Sequence, residues 1–330
     1  MLKVAIIGCG NIGSKRADVA ANHPKSKLEI IVDKDIERGL YYSRKFQCNF
    51  DINWKTVLRT DVDVVILSTP SNIVYDIASK IINSGRHLLC EKPLGLNLKQ
   101  AEILTELAIK NNVVLKTGFN TRFDSGVQKA KEIYENGLIG ELYFINLVYT
   151  NGAVLTNTNN IGSLMDIGIH SINLASWFLG KVNSVFAEIQ NKEHSINDNG
   201  FIILSNEKVL ANIHFSFIRW KNKFHLEISG KEGYVQIDSL PKWGCQTVIH
   251  GKRTYPSGPP IEKKWVIKKD TSWFNEWEFF ISNINRTSPL YNVYEGCQTM
   301  QLVDIANKSA QYHKPINKII NLNNLINSPD

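Results

Sequence analysis

The stretch Val4-Ala5-Ile6-Ile7-Gly8-Cys9-Gly10-Asn11-Ile12-Gly13, close to the start of the 330-residue chain, decides its fold. A run of apolar residues is typical of a strand buried on both faces, and the glycines that follow interrupt that strand. A helical pattern begins at about Ile12. Strand, glycine turn and helix in this order predict the first unit of a parallel α/β sheet.

The glycines of this turn have separate physical roles. Gly8 permits the tight turn, Gly10 lets a pyrophosphate approach the backbone, and Gly13 allows the helix to pack closely on the strand. Amides at the helix start, at Asn11 and Ile12, would supply partial positive charge. The turn therefore predicts a dinucleotide site of the Rossmann type. A glycine turn without a ligand is the alternative, and the flanking strand and helix argue against it.

A second apolar strand, at 28–32, ends in Asp33, which lies 20 residues after Gly13. An acid at this place would accept hydrogen bonds from the adenosine ribose hydroxyls. Its carboxylate would repel a 2′-phosphate, which favours NAD as the cofactor. The nearby Arg38 leaves NADP open.

Strand and helix patterns then alternate to about residue 120, with strands at 62–67, 87–90 and 113–116. Right-handed crossovers would join them in a doubly wound parallel sheet. The tetrad Cys90-Glu91-Lys92-Pro93 then lies at the dinucleotide edge of that sheet. For the tetrad alone, a solvated turn with two charges is the alternative. The strand ends that share this edge are Gly8, Asp33, Ser68, Glu91 and Gly118.

The second half of the chain has a different pattern. Short strands with tight turns, at 142–150, 182–189, 200–204, 209–217, 224–229 and 233–237, predict a large, mostly antiparallel sheet. We expect one face to pack on helices and the other, with Phe215, Phe217 and Trp220, to pair with a second subunit. Closing helices are expected at 272–286 and 294–311, before an Asn-rich tail after Pro315. The fold class is thus α/β, with a Rossmann domain at 1–120 and an α+β domain at 121–330.

Two polar stretches in this half are candidates for binding a hydroxylated ligand. If residues 163–173 are helical, Asp166, His170 and Asn173 share one face at i, i+4 and i+7. A buried hydrogen-bonded cluster with only a structural role is the alternative. The loop at 151–160 is rich in Asn, Thr and Gly, and solvent exposure explains its composition equally well.

Composition excludes several classes of protein. The net charge is +7, but basic residues are scattered, and no nucleic-acid-binding motif is present. The densest basic segment, 252–269 with Tyr255 and Trp265, is either a solvated face or a site for a diphosphate. The five cysteines have no metal-ligand spacing. Without a signal-peptide layout or a membrane-length apolar run, we expect a soluble cytoplasmic protein, with no metal, nucleic-acid or membrane partner.

Together these stretches resemble the Gfo/Idh/MocA family of NAD(P)-dependent sugar and polyol oxidoreductases. The resemblance extends to about residue 180. In chain order, the motifs that carry it are the glycine stretch, Ser68-Thr69-Pro70-Ser71, Cys90-Glu91-Lys92-Pro93-Leu94, Gly118-Phe119-Asn120-Thr121-Arg122-Phe123, Gly137-Leu138-Ile139-Gly140-Glu141 and Asp166-Ile167-Gly168-Ile169-His170.

The resemblance implies roles for individual residues. Lys92 would bind the reacting hydroxyl and assist proton transfer, with His170 as general base and Asp166 completing the catalytic set. The Lys92-Pro93 bond is a candidate for the cis form. Arg122 and Asn173 would contact substrate. Cofactor contacts are implied for Gly8, Gly10, Asn11, Ile12, Gly13, Asp33, Ser68, Thr69, Pro70, Glu91, Lys92 and Asn120.

Three departures from the family pattern affect the substrate pocket more than hydride transfer. Asn173 stands where many members carry Asp, Tyr75 stands where a His often follows the Thr-Pro motif, and Ile161-Gly162-Ser163 replaces a common double glycine.

The resemblance implies an NAD(P)-dependent dehydrogenase, without a metal, acting on a secondary alcohol of a sugar or nucleotide-sugar. A homodimer or homotetramer through the second domain is expected. Three alternatives remain open: an inositol or polyol dehydrogenase, a non-catalytic NAD-binding sensor on the same fold, and a glycosidase that oxidises its substrate transiently.

Overall fold

A computed structural model of the chain describes residues 1–152, 161–284, 293–317 and Ile319, and these fall into two compact units. Unit 1 comprises Met1–Asn120 with Trp273–Met300, and unit 2 comprises Thr121–Ser272 with Gln301–Asp330. Most of the predicted polar loop at 151–160, the end of the predicted helix at 272–286 and most of the tail after Pro315 lie outside the described residues.

Unit 1 is built on a six-stranded sheet in the order β3-β2-β1-β4-β5-β6. Every neighbouring pair is parallel, which confirms the predicted doubly wound sheet. The strand order reverses between β1 and β4, and ligands of such sheets bind beyond the carboxyl ends of the strands at this point. The strands are β1 (Leu2–Ile7), β2 (Ser26–Val32), β3 (Asn49–Asp51), β4 (Val64–Leu67), β5 (His87–Glu91) and β6 (Leu115–Gly118).

Four helices accompany this sheet, and their ends follow local sequence signals. The Asp35 side chain accepts a hydrogen bond from the Arg38 amide at the start of α2, and Asn97 accepts one from Gln100 at the start of α4. A left-handed Gln47 ends α2. The helices are α1 (Asn11–Asn22), α2 (Ile36–Phe46), α3 (Ser71–Asn83) and α4 (Leu98–Lys110), with a short 3-10 helix at Trp54–Arg59.

Unit 2 contains an eight-stranded sheet in the order β14-β13-β12-β11-β7-β10-β9-β8. All neighbours are antiparallel except β7 and β10, which confirms the predicted mostly antiparallel sheet. The strands are β7 (Leu142–Thr150), β8 (Ser184–Gln190), β9 (Asn199–Ser205), β10 (Leu210–Ser216), β11 (Lys223–Gly230), β12 (Gly233–Asp238), β13 (Gln246–Lys252) and β14 (Ile261–Ile267).

The sequence analysis treated residues 252–269 as one basic segment, but in the structure they span the end of β13 and all of β14. Residues 252–269 belong to a hairpin in which Lys252 ends β13, and Lys263 and Lys264 lie in β14. Lysines are common on edge strands because they discourage pairing with another chain. No residue of β14 is fully buried, so its sequence lacks the apolar alternation that identifies a strand.

The remaining helices are α5 (Ser125–Glu135), α6 (Ile169–Leu179), α7 (Ser272–Ile284) and α8 (Glu295–Tyr312). Gly137, with φ +71°, follows α5, in agreement with the predicted helix end. None of the helices described in the structure is long and apolar enough to cross a membrane.

The prediction that Phe215 and Phe217 face outward is wrong, because both side chains are buried. Phe215 follows Ala211 and Ile213 at alternate positions of β10, so all three point to the buried face. Trp220 is 99% exposed, but it lies in the turn after β10 and not in a strand. Exposed apolar side chains of this part of the sheet include Phe144, Phe201, Ile203 and Leu210.

The structure also divides the chain differently from a single boundary after residue 120. Trp277, Phe280 and Ile281 of α7 belong to the same apolar core as β1 and β2. The Trp277 indole N–H donates to the Ser26 hydroxyl over 3.2 Å. Helix α7 therefore completes the unit 1 core, a placement that no local sequence signal indicates.

Five charged side chains form a buried cluster in unit 1, and the most exposed of them is only 12% accessible. Arg16 pairs with Glu91 and, at 3.0 Å, with Glu276. Lys116 lies 2.8 Å from Glu295 and 3.6 Å from Glu276. Burial raises the pKa of Glu276, and the charges of Arg16 and Lys116 oppose this only in part. We call these residues the Arg16 cluster.

Replacing Arg16 tests how much the fold depends on this cluster. We expect Arg16→Met to lower the free energy of unfolding by about 3–5 kcal/mol, because two buried carboxylates lose their partner. Urea unfolding followed by circular dichroism measures the change. The matched control is Asp61→Asn, which breaks the exposed Lys3–Asp61 pair of the same unit and should leave the midpoint unchanged. Wild-type stability of Arg16→Met would contradict the expectation.

Candidate active site

The glycine turn after β1 leaves space where a dinucleotide phosphate would approach. A Cβ atom on Gly8 would lie 2.5 Å from the Ser68 carbonyl oxygen, and one on Gly13 would lie 1.9 Å from the Gly8 carbonyl oxygen. A Cβ on Gly10 would meet nothing within 4 Å. Packing therefore requires Gly8 and Gly13, whereas Gly10 keeps the backbone accessible, which fits a bound pyrophosphate.

The start of α1, at Asn11 and Ile12, follows this open position directly. No side chain caps the helix at Gly10, and its first turn contains no acidic residue. The partial positive charge of the helix N-terminus is therefore not offset by a local carboxylate, as phosphate binding requires.

The Asp33 carboxylate ends β2, but its oxygens already have several donors. Arg38 donates to both oxygens, over 3.0 and 2.7 Å, and the Cys9 and Asp35 amides donate over 2.7 and 2.9 Å. Burial alone would raise the pKa of Asp33, but these hydrogen bonds outweigh it and hold that pKa below its usual range. Asp33 is thus ionised, and ribose hydroxyls would have to compete with Arg38.

The segment Ser68-Thr69-Pro70 joins β4 to α3, beside the glycine turn. The Ser68 amide donates to the Ile7 carbonyl over 2.8 Å, which brings the two strand ends together. The Ser68 and Thr69 hydroxyl oxygens are buried, and neither bonds to a described residue. Buried polar atoms of this kind usually have a partner, and a cofactor would supply one here.

Glu91, Lys92 and Pro93 stand at the end of β5, on the same edge. The Glu91 side chain is held by Arg16, and the Lys92–Pro93 peptide bond is cis, as the resemblance implies. Glu91 is paired in register with Gly118 of β6. Asn120 follows closely and opens a short 3-10 helix, Asn120–Phe123. Unit 1 thus brings together the predicted cofactor residues along one sheet edge.

In unit 2, the predicted Asp166 helix is not a uniform α-helix. Leu164–Gly168, which contains Asp166, is one turn of π-helix, and α6 with His170 and Asn173 continues from it. The i, i+4, i+7 spacing therefore does not apply to Asp166 unchanged. π-Turns inside helices occur often at functional sites.

The start of the π-turn is fixed by Asn197. The Asn197 side-chain oxygen accepts from the Leu164 amide over 2.9 Å, and its backbone oxygen accepts from the Ser163 amide over 2.7 Å. A Cβ on Gly162 would lie 2.5 Å from that side-chain oxygen, and Gly162 has φ +72°. This position therefore needs glycine.

His170 and Asn173 lie on the buried side of α6. His170 is 8% exposed, and its Nδ1 lies 3.5 Å from the Thr121 hydroxyl. The Asn173 carbonyl accepts from the Arg122 guanidinium over 3.1 Å, and that guanidinium lies 4.7 Å from the centre of the Trp177 ring. The structure thus brings Arg122, His170 and Asn173 together around α6.

Three neighbours of this group were missed by sequence analysis. The Tyr149 ring lies 6.3 Å from the His170 ring, and the Lys242 ammonium donates to the Tyr149 hydroxyl over 2.9 Å. Trp243 packs edge-on against Tyr149. The position of Tyr149 at the end of a strand was an available signal, whereas Lys242 and Trp243 lie in a turn whose composition is unremarkable.

No three His, Cys, Asp or Glu side chains are arranged to hold a metal ion within the described ranges.

Comparisons with known proteins extend across both units. The Gfo/Idh/MocA oxidoreductase family model, with an NAD-binding Rossmann fold, matches residues 2–119, and the family's C-terminal domain model matches residues 127–236. The myo-inositol 2-dehydrogenase of Thermotoga maritima is 28% identical over 57% of this chain and 58% of its own length. The D-glucoside 3-dehydrogenase of Escherichia coli is 28% identical over 54% of each chain. The matched stretches thus span a little over half of these curated relatives.

A solved structure supports the fold. The NAD-binding oxidoreductase from Klebsiella pneumoniae has a TM-score of 0.84 to this chain, with 21% identity, and the match covers 97% of this chain and 100% of the other. With one family model on each unit, the chain belongs to the Gfo/Idh/MocA family of oxidoreductases, which has an NAD-binding Rossmann fold.

Proposed function

We propose that this protein is an NAD-dependent dehydrogenase that oxidises a secondary alcohol of a sugar or nucleotide-sugar, or reduces the corresponding ketone. The observation that carries the proposal is the open glycine turn at Gly10, on the same sheet edge as Lys92. The family membership supports the reaction type, and the relatives named as inositol and glucoside dehydrogenases support a polyhydroxylated substrate.

Each residue would have a separate role in the reaction. Bound NAD supplies the hydride acceptor at its nicotinamide. Lys92 donates a hydrogen bond to the reacting oxygen and stabilises the negative charge that develops there. His170, whose Nδ1 lies 3.5 Å from the Thr121 hydroxyl, accepts the hydroxyl proton. A positioned general base of this kind typically contributes about 10²–10⁴-fold.

Asp166, Arg122 and Asn173 would bind the substrate. Asp166 accepts hydrogen bonds from substrate hydroxyls, and the π-turn that Asn197 fixes sets where its carboxylate points. Arg122 is already held by the Asn173 carbonyl and the Trp177 ring, so it would bind with little loss of side-chain freedom.

A free polyol such as an inositol is the alternative substrate, favoured by the inositol dehydrogenase relatives. NAD reduction with inositols and with sugar nucleotides separates the two groups. Efficient turnover of free inositol, with none of sugar nucleotides, would replace the first substrate class by the second.

A non-catalytic NAD-binding sensor is the second candidate function. It would bind NAD but turn over no sugar or polyol. The presence of Lys92, Asp166 and His170 in one chain argues against it, because a sensor does not need a proton acceptor.

Removing Lys92 separates catalysis from cofactor binding. We expect Lys92→Ala to lower kcat by about 10²-fold or more, since the developing charge loses its partner, and to change the Kd for NAD little. Steady-state kinetics and calorimetric NAD titration measure the two effects. Lys99→Ala, at an exposed position of α4, is the matched control and should behave as wild type. Full activity of Lys92→Ala would exclude the assigned role.

The Asp33–Arg38 pair should set cofactor preference. In Asp33→Ser, the Arg38 guanidinium loses its main partner and becomes available to a 2′-phosphate. We expect the NADP to NAD ratio of kcat/KM to rise about 10- to 100-fold, the size of a charged hydrogen bond. Arg38→Ala is the opposing variant, and it should lower the same ratio because Asp33 then repels the phosphate unopposed. An unchanged ratio in both variants would refute the assignment.

We further propose that the protein is a homodimer or homotetramer through the outer face of the unit 2 sheet. Phe144, Phe201, Ile203 and Leu210 lie on the adjacent strands β7, β10 and β9, and each is at least 38% exposed. A contiguous apolar patch on a sheet face is typical of a protein interface.

Light scattering after size exclusion tests this interface. We expect Phe201→Arg to shift the protein toward the monomer, because a charge would be buried without a partner. Ile261→Arg, at a more exposed apolar position on the edge strand β14, should leave the mass unchanged. A monomeric wild-type protein would exclude the proposal.

A further inference from the structure

Five strands of the unit 2 sheet run in one direction. β7 and β10 are parallel, and the antiparallel pairings give β8, β12 and β14 the same direction. Their carboxyl ends therefore lie along one border of the sheet, which we call the carboxyl border. Tyr149, beside His170, stands at the end of β7 and so belongs to this border.

The carboxyl border carries an excess of available positive charge. Five exposed cations follow the ends of β10, β12 and β14, and none has a carboxylate within 4 Å among the described residues. These cations are Arg219, Lys221, Lys242, Lys268 and Lys269.

Three acids of the same border, Asp198, Asp238 and Asp270, bond to groups other than these cations. Asp198 accepts from the amides of residues 192–194 at 2.6–3.0 Å. Asp238 bonds to His225 over 2.8 Å and to Gln236 over 2.5 Å, and Asp270 accepts from the Ser272 amide. None of these three acids forms an ion pair with the five cations.

The basic segment at 252–269 is divided between the two borders of the sheet. Lys252 ends β13 and so lies at the opposite border, whereas Lys268 and Lys269 follow β14. The segment as a whole therefore cannot receive one diphosphate, and Lys242, which contacts Tyr149, lies outside it.

Lys242 connects this charge to the group around His170. Its ammonium donates to the Tyr149 hydroxyl over 2.9 Å and lies 4.8 Å from the centre of the Trp243 ring. The Tyr149 ring in turn lies 6.3 Å from the His170 ring. An ammonium has three donors, and the Tyr149 hydroxyl occupies one of them.

We propose that the substrate carries an anionic substituent, a phosphate or a carboxylate, that Lys242 binds while the reacting hydroxyl lies at His170. The inference rests on the proposed function, because it takes His170 as the proton acceptor. Lys242 forms a charge-assisted hydrogen bond to the anion, the Tyr149 hydroxyl fixes the ammonium in place, and the other cations of the border attract the substrate from solution. Lys242 is thus a specificity-determining residue.

Paired ligands that differ in charge test this proposal. Glucose, glucose 6-phosphate, glucuronate and UDP-glucose are titrated calorimetrically into NAD-saturated protein, so that the cofactor phosphate site is already filled. We expect at least one anionic ligand to bind at least 10-fold more tightly than glucose. Comparison of glucuronate with the two phosphates identifies the anion.

Variants at position 242 connect the preference to this side chain. Lys242→Met should reduce the anion preference about 10-fold, and Lys242→Arg should retain most of it. Lys252→Met, at the opposite border, is the matched control and should bind as wild type. Equal binding of neutral and anionic ligands, no binding of any anion, or an unchanged preference in Lys242→Met would each overturn the inference.

The kinetic readout separates this inference from the proposed function. With a turned-over anionic substrate, Lys242→Met should raise KM about 10-fold and leave kcat nearly unchanged, unlike Lys92→Ala. If anions bind through Lys242 but no ligand is oxidised, the dehydrogenase proposal fails and the anion site stands. If neutral sugars are oxidised as efficiently as anionic ones, the anion site fails and the dehydrogenase stands.

Discussion

The buried pair of Arg16 and Glu91 constrains much of unit 1. Charges out of water must be matched nearby, so the pair draws in Glu276 and, through it, Lys116 and Glu295. It also requires Gly118, because a Cβ there would lie 2.4 Å from the Arg16 guanidinium. One requirement for charge balance thus joins α1, β5, β6 and the 273–300 segment. The residue that immediately follows Glu91 is Lys92.

Both sheets place their candidate chemistry at the carboxyl ends of strands that run in one direction. In unit 1 this follows from a fully parallel sheet. In unit 2 the antiparallel strand β11 between β7 and β12 puts Tyr149 and Lys242 at one border, and the single parallel pair, β7 with β10, adds Arg219 to it. An entirely antiparallel arrangement with the same strands would have distributed these side chains over two borders.

Sequence patterning predicted the features that depend on neighbours in the chain. The glycine turn, the strand ends at Asp33 and Glu91, and the helix bearing His170 follow from periodicity and from motifs with a known physical role. The sequence did not predict features that depend on contacts between residues far apart in the chain. The correct assignment of Phe215 required knowledge of which face of β10 meets the π-turn, and two of the four donors on Asp33 depend on the rotamer of Arg38. The docking of Trp277 against Ser26 joins residues more than two hundred positions apart, beyond the reach of any local pattern.

An open sheet has two end strands with unpaired backbone groups. Either could pair with a strand of another chain, and repeated pairing would form a polymer. At one end, β8 is partly covered, because Val185 exchanges backbone hydrogen bonds with Ile316 over 2.9–3.0 Å. At the other end, Lys263 and Lys264 place charge along β14. A strand added there would bury ammonium groups beside its own backbone. Both end strands are therefore protected against pairing with another chain, which limits aggregation of the folded protein.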